Sequence, residues 1–168
     1  MKKYKLVLDS SVEFMGTKLY RIRALIKFGN IEKGELGGYI ATEKNLAQVY
    51  GDAWVYGDAQ VSGDAQVYGS AQVYGSAQVY GSARVYGSAQ VYGDDKLKIT
   101  PINIIGLAWG VTITPTHMVI GCERHSHVDW GKFNTKRIET MNDNAVHFWK
   151  QHKAMLLALC KSHAKAKC

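Results

Sequence analysis

All six histidines of this 168-residue chain fall in its last third: His117, His125, His127, His147, His152 and His163. The densest chemistry is His117, Cys122, His125 and His127, four side chains within eleven residues. Imidazole and thiolate are zinc ligands, so these four form the candidate metal cluster, structural or catalytic. Their His-x4-Cys-x2-His-x-His spacing is not that of a standard zinc finger, which leaves hydrogen-bonding and ligand-contact roles open beside it. In an extended segment, alternation places His125 and His127 on one side. No cofactor is expected otherwise.

A second reading draws on the same stretch. Trp109, Thr112, Thr114, His117, Arg124, His125, His127 and Trp130 mix flat aromatics with cationic and hydroxyl groups. That mixture suits a base plus a phosphate, because a ring stacks on indole and a guanidinium forks onto an anion. These eight are the candidate ligand-binding residues. The alternative is that Trp109 and Trp130 belong to the core.

The elements that would hold these groups follow from a repeat. From Ala47 to Asp94 one phrase, Val-Tyr-Gly-Ser-Ala-Gln, recurs eight times with small changes. Val stands at 49, 55, 61, 67, 73, 79, 85 and 91, Ala two residues before each, and Gly two residues after. A six-residue period is the signature of a β-helical solenoid. It fails as an α-helix, since each Gly would cost about 1 kcal/mol against Ala. Alternation turns Ala53 and Val55 inward and Trp54 outward. Tyr-Gly-Ser or Tyr-Gly-Asp makes the corner. Three strands and three corners close a triangular coil of eighteen residues, so the segment supplies two to three coils. Residues eighteen apart should stack: Tyr50 on Tyr68 and Tyr86, Tyr56 on Tyr74 and Tyr92, and Gln48 on Gln66 and Arg84. Trp54, Gln72 and Gln90 should form a further ladder. The tyrosine rows fit edge stacking, subunit packing or ligand contact. A prism this short buries little and should need capping and self-association.

The segments around the repeat read as residues 1–46, an N-terminal hairpin and cap, and residues 95–168, a strand region and a helix. Residues 4–8 alternate as a strand and Asp9-Ser10-Ser11 turns it. Val12–Phe14 and Lys18–Arg23 flank a hairpin turn at Met15-Gly16-Thr17. The glycines of Lys33-Gly34-Glu35-Leu36-Gly37-Gly38-Tyr39-Ile40 have neither P-loop nor dinucleotide spacing and suit a corner leading into the first coil. Residues 102–121 are strand-like, Gly121–His127 is a polar loop, and Thr135 caps a short turn. A helix from about Asp143 to His163 buries Val146, Trp149, His152, Leu156, Leu159 and His163. Its lysines, including Lys165 and Lys167, are solvated. A basic amphipathic helix also suits membranes or nucleic acid, but packing on the strands is the expectation.

Composition sets bounds. The formal charge is +7, divided as +4 over residues 1–46, −3 over 47–94 and +6 over 95–168. The basic flanks favour a small anionic partner or serve solubility. Three cysteines are too few and odd in number for a disulfide scaffold, which points to a reducing compartment. No signal peptide or membrane span is expected, and a cytoplasmic location is.

The repeat resembles the hexapeptide-repeat, left-handed parallel β-helix superfamily. That resemblance implies a mainly β fold: a short left-handed parallel β-helix with an N-terminal β-hairpin and a C-terminal strand-plus-helix cap. It also implies a homotrimer. Acyltransferases and carbonic anhydrases of this superfamily carry histidines on or near their coils, and this repeat has none. Over its length the chain resembles phage- and prophage-encoded hexapeptide-repeat proteins. The likeness rests on Gly34–Ile40, the Val-Tyr-Gly-x-Ala repeats and Thr114-x-x-His117-Met118-x-Ile120-Gly121-Cys122-x-x-His125. The expectation is a non-enzymatic, phage-derived trimer in the bacterial host cytoplasm. It would sequester a small anionic ligand, a cyclic or modified nucleotide immune signal, with no membrane or polymeric nucleic acid as partner. The alternatives are an acyltransferase-like enzyme using His117 or His125 as general base, and a structural, virion-associated trimer.

Overall fold

A computed structural model describes residues 1–165, so the reading of Lys167 falls outside the described residues. The chain divides into two compact units, Met1–Pro101 and Ile102–Cys168.

The first unit begins with a long hairpin, β1 (Tyr4–Phe14) and β2 (Thr17–Ala24). Met15 and Gly16 turn it with positive φ, 50° and 73°, the two-residue turn whose twist matches the strands. Asp9–Ser11 is no turn: β1 runs through it, and the pairing with β2 only shifts register between Val7 and Ser11. A bulge absorbs the extra residues without ending the strand. Next comes β3 (Leu36–Ile40), a strand where a corner was expected.

The solenoid follows in two-residue strands: β4 (Trp54–Val55), β5 (Gln60–Val61), β6 (Gln66–Val67), β7 (Gln72–Val73), β8 (Gln78–Val79), β9 (Arg84–Val85), β10 (Gln90–Val91) and β11 (Lys96–Leu97). All pair in parallel with the strand one coil away, as an eighteen-residue coil demands. One face reads β4-β7-β10, the next β6-β9, and the third continues the hairpin as β1-β2-β3-β5-β8-β11. Ile40, Val61, Val79 and Leu97 therefore form a single buried column, larger at both ends. The column outlasts the repeat phrase: Asp95 and Leu97 take the Ala and Val places, with Gln78 N donating to Asp95 O at 2.8 Å.

The first phrase of the repeat departs from the pattern. Val49 is 65% exposed, Tyr50 is 84% exposed, and Ala47 is only half-buried. Leu46 takes Val49's place by bridging to Val67, a slip of three residues. Asn45 fixes the slip. Its side-chain amide donates to Gly63 O at 3.0 Å and Ala65 O at 2.8 Å, and its oxygen accepts from Thr42 N at 2.8 Å. Gln48 leaves the expected ladder and clasps β1, accepting from Lys3 N at 3.1 Å and donating to Tyr4 O at 3.2 Å. Tyr50 therefore does not stack. Tyr68 lies on Tyr86 at 5.5 Å and Tyr74 on Tyr92 at 4.7 Å, both near parallel, while Tyr56 meets Tyr74 edge-on.

Trp54 does turn away from the Ala-Val column, yet it is fully buried, which the sequence pattern did not indicate. The rings of Tyr4 and Phe28 cover it at 6.1 and 5.4 Å. Tyr4 is held by its hydroxyl donating to Leu46 O at 2.8 Å, and burial pushes that hydroxyl's pKa up, with Glu43 adding to the effect.

The second unit is an antiparallel four-stranded meander, β12 (Ile102–Ile104), β13 (Val111–Ile113), β14 (His117–Ile120) and β15 (Glu123–Ser126). Helices α1 (His127–Lys132), α2 (Thr135–Glu139) and α3 (Ala145–Lys165) follow. The expected loop at Gly121–His127 is instead a tight turn, strand β15 and the start of α1. Ser126 caps α1 by accepting from Asp129 N at 3.1 Å. Asn134, not Thr135, caps α2. The buried face of α3 is Ala145, Phe148, Trp149, Leu156, Cys160 and His163. It shares Trp149, Leu156 and His163 with the expected face, whereas Val146, His152 and Leu159 are only partly buried and Ala145, Phe148 and Cys160 are buried in their stead. Burial pushes the Cys160 thiol up to about 11. Among the described residues no helix is long and apolar enough to cross a membrane.

Candidate functional site

Strand parity divides the residues singled out from sequence. In the meander, β14 pairs with β15 so that Val119 opposes Arg124 and Met118 opposes His125. Side chains alternate across a sheet, so His117, Val119 and Arg124 share one face and Met118, Ile120, Glu123 and His125 share the other. The eight candidate ligand residues are therefore not one site.

On the first face, His117 Nδ1 lies 3.0 Å from Arg124 Nη2 and 3.0 Å from Thr116 Oγ1. A guanidinium can only donate, so Nδ1 accepts and the imidazole proton sits on Nε2. Thr114, fully buried, closes the β13–β14 turn: its hydroxyl accepts from His117 N at 3.0 Å. Thr112 is buried as well. His127 Nε2 donates to His117 O at 3.0 Å. These groups hold the strand ends in register.

The opposite face carries the helices and the aromatic side chains. Trp130 is core, its indole N–H donating to Met118 O at 2.8 Å. His125 sits edge-on to Trp130 at 5.2 Å and Phe133 at 4.9 Å, and its Nε2 donates to Glu123 Oε2 at 2.7 Å. Arg137 on α2 approaches the same oxygen at 3.7 Å and lies over the Phe133 ring. Cys122 is exposed in the β14–β15 turn, where Gly121 has φ of 58°.

The four candidate zinc ligands do not converge. His125 faces the helices, His117 the other side, and Cys122 the turn. Among the described residues no three His, Cys, Asp or Glu side chains gather as a metal site requires.

Beside Glu123 a partly open cavity of about 110 Å3 enters the second unit. Trp109, Trp130, Phe148 and Trp149 form its aromatic walls, Ile120, Ile138, Met141 and Ala145 its aliphatic ones, and Cys122, Glu123 and Asn142 supply its polar lining. Trp109 meets Phe148 edge-on at 5.0 Å, and Trp130 meets Trp149 at 5.1 Å. Trp149 is 6% exposed, and its indole N–H has no acceptor among the described residues. A buried donor left without a partner costs about 1–3 kcal/mol. Sequence reasoning found Trp109 and Trp130 but missed Phe148, Glu123, Arg137 and Asn142 as parts of a site. It placed Trp149 in the core alone. The adjacent aromatic pair Phe148-Trp149 was the available signal, because two bulky neighbours on a helix cannot share one narrow stripe.

Parallel two-residue strands stacked eighteen residues apart define a short β-solenoid repeat protein. Its coils are similar to the family described as YdcK beta solenoid repeat, which matches residues 47–63, 59–75 and 77–93. Comparison with curated proteins gives no match.

Proposed function

We propose that this chain is a non-enzymatic, self-associating binding protein that sequesters a small anionic ligand of nucleotide type. The observation that carries this reading is the aromatic cavity of the second unit, walled by Trp109, Trp130, Phe148 and Trp149, with Glu123 in its lining and Arg137 beside Glu123. A dry apolar cavity of about 150 Å3 accepts a benzene ring. The cavity here is somewhat smaller and partly open, so it takes one ring of a base and leaves sugar and phosphate outside. Arg137, with its side chain 43% exposed, stands beside Glu123 and can meet that phosphate. The excess of +6 over residues 95–168 draws anions to this unit.

The biological setting, a phage- or prophage-derived trimer that removes a nucleotide immune signal in the bacterial cytoplasm, rests on the sequence resemblance. Self-association is supported by the short prism and by the partly exposed Tyr68 and Tyr86, which form a flat stacked pair. Acyl transfer through His117 is disfavoured, because the nitrogen that would act as base already accepts from Arg124 and Thr116.

A thermal-shift panel of cyclic dinucleotides, cyclic trinucleotides, mononucleotides and acyl-CoAs tests the proposal. A ligand at 100 times its dissociation constant adds about 2.7 kcal/mol to the folded state. The expected result is a shift with one nucleotide class and recovery of that ligand unchanged. A shift with acyl-CoA alone would return the protein to the transferases.

A further inference from the structure

One wall of the cavity is held more loosely than the rest. Helix α2 and its flanks, residues 134–144, supply Ile138, Met141 and Asn142 to the lining. Within that segment only Ile138 is buried, at 1% exposed. Its hydrogen bonds are local. Ile138 N donates to Asn134 O and Met141 N to Ile138 O, each at 3.1 Å, and Arg137 Nη1 donates to Thr140 Oγ1 at 2.8 Å. Among the described residues its one polar contact with the sheet is Arg137 Nη2 to Glu123 Oε2 at 3.7 Å, between two partly exposed side chains. Such a pair contributes little. The segment therefore closes on the cavity through a single buried side chain. The other walls are tied more firmly. Trp130 bonds to Met118 O at 2.8 Å, Phe148 and Trp149 belong to a helix of 21 residues, and Trp109 packs against Phe148. Segments with few buried apolar groups open before the whole fold does, and ligand-binding lids are drawn from them.

We infer that residues 134–144 form a lid over the cavity, with Ile138 as its plug and the Arg137–Glu123 pair as its latch. The lid leaves the cavity while the sheet and α3 stay folded, and it closes over a bound ring. This rests on the cavity being the binding site proposed above and adds how that site opens. A closed lid withdraws the ring from water, and release then waits on reopening.

Native-state hydrogen exchange of the full chain, read in proton–nitrogen correlation spectra without ligand, tests the lid. The amides of Ile138 and Met141 should exchange at least about 100-fold faster than those of Leu156 and Cys160 in α3. Ile138→Ala removes burial that only the closed lid has, so Met141 should exchange about tenfold or more faster in that variant. Arg137→Ala, a surface change that leaves the core intact, should speed both lid amides about two- to fivefold. Exchange of Ile138 and Met141 at the rate of Leu156 and Cys160 would mean that they open only with the whole unit, which overturns the lid. Fast exchange of Met141 that Ile138→Ala leaves unchanged would be fraying with the plug in place, and overturns it as well. Lid amides indifferent to Arg137→Ala would overturn the latch. Adenosine 5′-monophosphate is then added. A ring held beneath the lid should slow Met141 exchange about 100-fold at 100 times the dissociation constant. A lid that opens in the free protein but ignores the nucleotide would stand, while the nucleotide reading of the cavity would fall.

Discussion

Replacing Gly38 by Ala should damage this protein more than replacing Gly16, although only Gly16 has a backbone angle that favours glycine. Gly16 has φ of 73° with nothing within 4 Å of an added Cβ. Its replacement costs only the left-handed conformation, about 1–2 kcal/mol. Gly38 carries no such angle, but an added Cβ would lie 2.5 Å from Ala59 O and 2.7 Å from Val55 Cγ1. The first of these atoms is backbone and cannot swing aside. Strand β3 would have to lift from the coil, weakening Tyr39 N to Ala59 O at 2.9 Å and Ala41 N to Val61 O at 3.0 Å. Overpacking costs about 1–3 kcal/mol. Two weakened backbone bonds add about 1 kcal/mol each. The total, about 3–5 kcal/mol, takes much of a typical domain's stability of roughly 5–15 kcal/mol. Circular dichroism melts of the two variants read the difference. Gly38→Ala should fall by roughly 10 °C or more. If Gly38→Ala melts with the wild type, or above Gly16→Ala, the close seating of β3 on the coil is wrong.

Val49 and Val67 occupy the same place in the repeat phrase, yet Val67→Asp should prevent folding and Val49→Asp should change stability by less than about 0.5 kcal/mol, because only Val67 is inside. Solubility and melting curves of the two variants check this. Acidification should destabilise the second unit through His163. Burial, reinforced by His127, lowers its pKa below the ordinary 6.5, so the unfolded chain takes up the proton first. Its contribution is complete above pH 6.5 and is lost as pH falls below that value. Urea midpoints at about pH 7.5 and about pH 5.5 should differ less in His163→Leu than in the wild type.

The coil was legible because each of its constraints is local. Val and Ala alternate, and the glycines of the repeat adopt positive φ at the corners. The slip at Leu46 was not legible, since Ala47 to Gly51 matches the phrase as well as any later copy. What excludes that copy is tertiary: the two bonds from the Asn45 amide and the clasp of Gln48 on β1. Trp54 misled for a similar reason, as its outward side is covered by Tyr4 and Phe28 from distant parts of the chain. In the second unit the candidate residues were found by type, but their grouping depended on strand boundaries. Once β15 replaces a loop, parity sends Arg124 and His125 to opposite faces, and the guanidinium separates from the aromatic side chains. The wall from α3 depended on helix phase, which the pattern through Val146 set one residue off Ala145.

The central claim concerns a base entering the cavity beside Trp149. The chain has four tryptophans, and three of them line that cavity while Trp54 lies in the solenoid. Indole N–H resonances in a proton–nitrogen correlation spectrum, recorded during titration with adenosine and guanosine 5′-monophosphates, report on each separately. Ligand should move the signals of Trp109, Trp130 and Trp149, which line the cavity, and leave Trp54 unchanged. Saturable binding that leaves all three of these signals in place would contradict entry of a base into the cavity.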